Sequence, residues 1–120
     1  MPGLAPRAVV TPVGHIDILP TIVNIAGGKP DADMMGRSLI TAMTGTAEPL
    51  TVFQQLTLKG FRQRRGAIRE NCHVIYSQLP DVSWEVYRTD RDPLEQHDLS
   101  ETNECASTRQ ALTAWCNDCD

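Results

Sequence analysis

The side chains with the most chemical potential fall into two sets. Lys59, Arg62, Arg64, Arg65 and Arg69 crowd one short stretch, and a cationic run of that density is either a solvated face or a surface for an anionic ligand. Both readings stay open on sequence. Phe61 is the one aromatic interleaved with these cations, which equips the stretch poorly for stacking on nucleic-acid bases. The second set is Cys72, Cys105, Cys116 and Cys119 with His15, His73 and His97. Tetrahedral zinc takes four N or S ligands, but Cys116 and Cys119 are the one C-x-x-C pair, and no second close pair accompanies them. A thioredoxin-like redox pair opens a helix after a strand, whereas this pair closes the chain after a helix. The spacing therefore favours Cys72 as a small buried strand residue and the other cysteines as free thiols or an incidental disulfide. His15, just ahead of a helix start, reads as a hydrogen-bonded structural residue rather than a ligand.

The elements that must hold these residues change character near position 50. Ile16, Leu19, Ile22, Val23, Ile25 and Ala26 recur at helical spacing, which predicts a helix from about Ile18 to Ala26. Asp17 is placed to cap it, Pro20 is tolerated in its first turn, and Gly27 and Gly28 stop it. Ser38 can cap a second short helix through Leu39, Ile40 and Met43 that Gly45 ends. From Leu50 onward the β-branched and aromatic residues cluster in short runs: Thr51 to Leu58, Gly66 to Glu70, Cys72 to Ser77 and Trp84 to Arg88. Polar, Gly or Pro breaks separate them, with turns at Asn71 and at Thr89 to Pro93, so they predict a small antiparallel sheet. A last helix from about Asn103 to Trp115 would turn Ala106, Leu112 and Trp115 toward that sheet. The expected fold class is α+β: about four antiparallel strands, an N-terminal helical segment and a C-terminal helix. The expected organisation is one subdomain over 1–120, divided into a helical segment (1–48), a meander (49–100) and a closing helix (101–120).

Composition sets outer limits. A chain of 120 residues that is 41% hydrophobic and 22% charged suits one globular unit, which on folding buries roughly two-thirds of its unfolded surface. No apolar run approaches the roughly 18 residues that span a bilayer, so no membrane partner is expected. The net charge of −4 gives no global attraction to nucleic acid. That total conceals segregation. Between Asp81 and the end, the acids Asp81, Glu85, Asp90, Asp92, Glu95, Asp98, Glu101, Glu104, Asp118 and Asp120 face only Arg88, Arg91 and Arg109. With two Trp, two Tyr and two Phe, the sheet offers a thin core, while the first helix is apolar over a wide arc. Something is expected to cover that helix, and a homo-oligomer or a missing domain would do so.

Read together, these segments resemble a known family. Pro12 to Val23, containing Asp17-Ile18-Leu19-Pro20-Thr21, is similar to the D-I-x-P-T segment of sulfatases, and the likeness continues through Ala26-Gly27 and Gly36-Arg37-Ser38-Leu39. Arg64 to Arg69 followed by His73-Val74-Ile75-Tyr76 resembles the family's arginine-led and lysine-led paired strands. Glu85-Val86-Tyr87, Asp92-Pro93-Leu94-Glu95 and Asp98-Leu99 resemble its E-L-Y-D-L, D-P-x-E and N-L elements, and Leu112 to Trp115 with Asp120 its closing helix. In that order, over nearly the whole chain, they resemble the C-terminal portion of a sulfatase of the alkaline-phosphatase superfamily. Most of these pieces also read as architecture: Asp92-Pro93 forms a turn, and Asp17 to Thr21 starts a helix.

The resemblance implies a part of a sulfuric ester hydrolase rather than a whole one. The family cleaves sulfate esters with a formylglycine made in a C-x-P-x-R motif, beside a divalent metal such as calcium, and these groups precede the D-I-x-P-T segment. No cofactor is therefore expected in this chain, and the chain by itself is expected to be inactive. Cys105-Ala106-Ser107-Thr108-Arg109 has Cys and Arg at the motif's separation but Ser107 at its proline position and the wrong place in the order, so it is a decoy. As part of such an enzyme, the basic stretch would border the substrate, since guanidinium forks suit sulfate as they suit phosphate. Arg62, Arg64, Arg65 and Arg69 are the substrate-binding candidates, with a sulfated ligand as partner. The competing expectation is a stand-alone interaction module that self-associates through its first helix.

Overall fold

The computed structural model describes residues 5–45 and 50–116, which fall into two compact units divided between Leu50 and Thr51. Cys119, Asp118 and Asp120 lie outside the described residues, as does the end of the expected helical segment.

In the first unit a 3₁₀ turn over His15–Asp17 runs into helix α1 (Ile18–Ile25). Pro20 costs that helix nothing, because a first-turn amide has no intrahelical acceptor. The helix stops where the sequence predicts: Gly27 takes φ +83°, and the amides of Gly27 and Gly28 bond back to Asn24 O and Val23 O at 3.0 and 2.9 Å. Helix α2 (Ile40–Thr44) ends at Gly45, also left-handed at φ 83°. Asp17 differs from expectation. Its backbone is helical and its side chain does not cap α1; the carboxylate accepts from Gly14 N at 2.9 Å and from Arg37 N at 3.0 Å. The partner it holds is the later Gly36-Arg37-Ser38 segment, which local capping rules cannot see.

In the second unit, β1 (Thr51–Leu58), β2 (Arg62–Arg69), β3 (Cys72–Leu79) and β4 (Ser83–Arg88) form one antiparallel sheet in the order β1-β2-β3-β4. Strand β2 begins at Arg62 rather than at Gly66, so the cationic run is a strand and not a loop. Backbone pairing is indifferent to long solvent-seeking side chains, and Gly60, at φ +79°, lets a three-residue loop bring Leu58 opposite Arg62. The next turn is two residues, with Glu70 at φ 52° and Arg69 opposite Cys72. Helix α3 (Ala106–Trp115) packs on one face of the sheet. It starts later than Asn103 because Cys105 sits at φ 57° and is bonded to Cys72.

The core lies between that face and α3: Ala67, Val74, Tyr76, Val86, Leu112 and Cys116 are buried together, with Phe53, Trp84 and Leu99 packed against them. Phe53 stacks on Trp115 at 4.8 Å between centroids, and the Arg109 guanidinium lies 4.3 Å over the Trp84 ring. Ala106 is exposed, contrary to expectation, and the buried Thr108 faces inward in its stead. The expected α+β class, with a four-stranded meander, an N-terminal helix and a C-terminal helix, is the architecture observed.

Candidate functional site

A strand turns alternate residues to opposite faces, and this divides the four candidate arginines two and two. Arg62 and Arg64 share a face with Gly66, His73, Ile75, Glu85 and Tyr87 by cross-strand register. Arg65 and Arg69 lie on the α3 face, where Arg65 Nη1 approaches Cys116 Sγ at 3.1 Å. They do not form one cluster. The even and odd numbers of these residues are the signal that separates them, once 62–69 is known to be a single strand.

The face away from α3 carries two carboxylate pairs. Arg64 reaches across β3 to Glu85, Nη2 to Oε1 at 2.9 Å, so the basic stretch and the acidic later chain do attract each other across the sheet. The Tyr87 hydroxyl donates to the other oxygen of Glu85 at 3.0 Å. Burial, then this hydrogen bond to a carboxylate, pushes the Tyr87 phenol up to about 12. His73 Nδ1 donates to Glu95 Oε1 at 2.6 Å, with the imidazole side chain 12% exposed. This assigns the Nδ1 proton and leaves Nε2 to face elsewhere. That atom is buried and has no hydrogen-bond partner among the described residues. Over Gly66 lies a cavity of about 250 Å³ whose lining includes Gln54, Leu56, Arg64, Arg65, His73 and Ile75. Sequence reading missed Gln54, Gly66 and His73 as a group, because their strands meet only through sheet register.

The turn elements after β4 are architectural. Asp92 accepts from His97 N at 2.8 Å, and backbone amides of His97 and Gln96 hold its carboxyl below the ordinary range. Asp98 accepts from Val86 N and Ser100 N, each at 2.9 Å. Burial raises Asp98, but these hydrogen bonds outweigh it and leave its carboxyl below the usual value. Arg88 and Arg91 both reach Glu104.

None of the described cysteines is a free thiol. Cys72 and Cys105 are joined to each other, 5.7 Å apart at Cα, and Cys116 is also disulfide-bonded. Of the two alternatives expected for the later cysteines, free thiols or an incidental disulfide, Cys105 and Cys116 take the disulfide, and Cys72, expected as a small buried strand residue, is a half-buried strand residue that is itself bonded. Strand β3 and the start of α3 bring Cys72 and Cys105 together across 33 residues of chain, a proximity no local spacing reports. Among the described residues, no three His, Cys, Asp or Glu side chains gather as a cation site, and no helix is long and apolar enough to cross a membrane.

In the first unit the residues of the D-I-x-P-T likeness act as a clasp. Thr21 Oγ1 donates to Asp17 O at 2.6 Å and accepts from Leu39 N at 2.8 Å. Gly36 presses on the Ile16 carbonyl so closely that a Cβ there would lie 1.9 Å from the oxygen. Asp17 and Thr21 thus grip the backbone of Arg37 and Leu39, and the two matched segments are halves of one device.

No protein-family model matches the sequence, and neither does any curated protein. Solved structures do match. The chain superposes over 85% of its length on BT4656, solved with its substrate D-glucosamine-2-N,6-O-disulfate, at a TM-score of 0.66 and 19% identity. It superposes over 85% on BT1596, a 2-O GAG sulfatase, at a TM-score of 0.62 and 18% identity. The fold is that of a sulfatase segment. A third structure, Ps i-CgsB in complex with k-i-k-neocarrahexaose, gives a TM-score of 0.68 at 19% identity over 88% of this chain. The chain spans about a quarter of these sulfatase-fold structures, 22%, 23% and 24% of their respective lengths.

Proposed function

We propose that this chain serves as the C-terminal portion of a sulfatase-type sulfuric ester hydrolase and is inactive by itself. The observation that carries the reading is the paired likeness: most of this chain superposes on sulfatases, and it does so over only a quarter of them. Ester hydrolysis needs an activated nucleophile and fixed charge to stabilise the departing sulfate. The family's formylglycine and its divalent metal, such as calcium, would then belong to other polypeptide. The present residues supply a rigid sheet whose Arg62 and Arg64 face borders the substrate. Arg65 and Arg69, on the α3 face, would act on the sheet's own packing.

The test is turnover of an aryl sulfate by the purified chain in calcium-containing buffer. No turnover is expected, with activity gained on supplying the upstream portion of a sulfatase polypeptide. Hydrolysis by the 120 residues themselves would overturn the reading.

A second reading, self-association, draws on one specific observation. Ile18, Leu19, Ile22 and Ile25 of α1 are 52%, 58%, 57% and 51% exposed, and contiguous apolar surface of this kind is uncommon on a free monomer. Sedimentation showing a dimer that Ile22→Glu dissociates would support it, and a monodisperse monomer would sink it.

A further inference from the structure

The cavity over Gly66 has a chemistry of its own. Of the arginines that line it, Arg64 is already met by the Glu85 carboxylate and Arg65 turns its guanidinium to Cys116 Sγ on the α3 face. An anion placed there would meet little uncompensated positive charge. What remains uncompensated is a hydrogen-bonding group: His73 Nε2, buried and without a partner among the described residues. A buried polar atom left in that state costs roughly 1–3 kcal/mol, which a bound partner can recover. The Glu95 carboxylate accepts from Nδ1–H, so in the neutral ring Nε2 is an acceptor that seeks an O–H or N–H. Beside it is the exposed Gln54, whose amide offers both a donor and an acceptor. A Cβ on Gly66 would lie 3.5 Å from both Gln54 Oε1 and His73 Nε2. Leu56 and Ile75 supply apolar walls. The space of about 250 Å³ is below the roughly 300–1,000 Å³ of sites for drug-sized ligands, and suits a single ring.

We propose that this cavity binds an uncharged, hydroxyl-bearing saccharide ring, with His73 Nε2 accepting one hydroxyl, the Gln54 amide bridging a second, and Leu56 and Ile75 covering the ring's C–H face. Gly66 is the floor, and its missing side chain makes the room. Gln54 swings aside to uncover Nε2. The saccharide class rests on the sulfatase reading above; within it, this site holds the neutral ring of a sugar sulfate and leaves the sulfate itself to other groups.

The test is titration of the ¹⁵N-labelled 120-residue chain with N-acetylglucosamine, and separately with inorganic sulfate at matched ionic strength. The sugar is expected to move the amide signals of Gln54, Gly66 and His73 and the Nε2 resonance of His73, while sulfate leaves them in place. Gly66→Ala puts its Cβ at ordinary contact distances, so it should keep the sheet's spectrum and lose the shifts. Gln54→Ala, at an exposed position, should weaken binding three- to tenfold. The proposal is overturned if sulfate moves these signals and the sugar does not, if neither does, or if Gly66→Ala binds as the parent does. Turnover of an aryl sulfate by the chain would defeat the reading of an inactive portion and leave this titration unaffected, so the two failures are distinguishable.

Discussion

The two units of this chain solve the same problem by different means. Residues 51–116 bury a core of their own between a sheet and a helix, and a disulfide ties the two layers together. Residues 5–45 bury Asp17, Thr21, Pro20 and Ala42 but leave all three isoleucines of α1 half exposed. Their order comes from side chains aimed at backbone amides and from one glycine contact. Burying an apolar side chain stabilises a fold by about 1.5–3 kcal/mol, whereas a hydrogen bond adds only about 1 kcal/mol net. The first unit therefore draws less of its order from apolar burial than the second does.

The largest way to break this contrast is to cut the covalent tie. Replacing Cys72 and Cys105 together by Ser, or reducing the bond, releases a loop of 33 residues, which on chain-entropy grounds removes about 4 kcal/mol from the second unit. Denaturant unfolding followed by tryptophan fluorescence, from Trp84 and Trp115, should show it, while the circular dichroism of α1 is expected to change little. Next is Gly36→Ala, whose Cβ meets the Ile16 carbonyl at 1.9 Å. Backbone must shift, at a cost of about 3 kcal/mol, and amide exchange should collapse at Arg37 and Leu39 but not in β2 or β3. A third test sharpens the comparison without mutation: native-state exchange should find β2 and β3 amides opening only globally and α1 amides opening locally at lower free energy.

Two smaller effects are set by pH. The Asp98 carboxyl is held below its ordinary value in the folded chain, so its contribution is present above about pH 4 and fades as pH falls through the folded pKa. Asp98→Asn should cost about 1 kcal/mol at pH 7 and flatten the acid limb of stability for the second unit. Tyr87 works in the opposite direction. Its phenol is raised to about 12, so its contribution is complete below the unfolded value near 10 and is lost as pH rises between the two. Tyr87→Phe should reduce that alkaline loss, read as melting temperature against pH.

How much of the molecule is legible in its sequence depends on how far apart the participants lie along the chain. Helix α1 and its glycine stop, the two-residue turn after Arg69, and four short strands all follow from neighbours within one turn or one hairpin, and the predicted helix and strands lie close to their observed bounds. The start of β2 is the exception among them, because charge weighs against a strand in the residue pattern where pairing with β1 decides the matter. The pairing of Cys72 with Cys105, the Asp17 clasp and the cavity over Gly66 escape sequence reading, since each joins residues from separate elements.

The amino-acid order by itself determined the α+β class, the meander, the closing helix and the likeness to a sulfatase portion, since period, turn chemistry and motif order are local properties. The tertiary structure alone decided which arginines share a face, which cysteines bond and where His73 Nε2 points. Those are set by register and layer packing, and a strand shifted by one residue would reverse every one of its side-chain assignments.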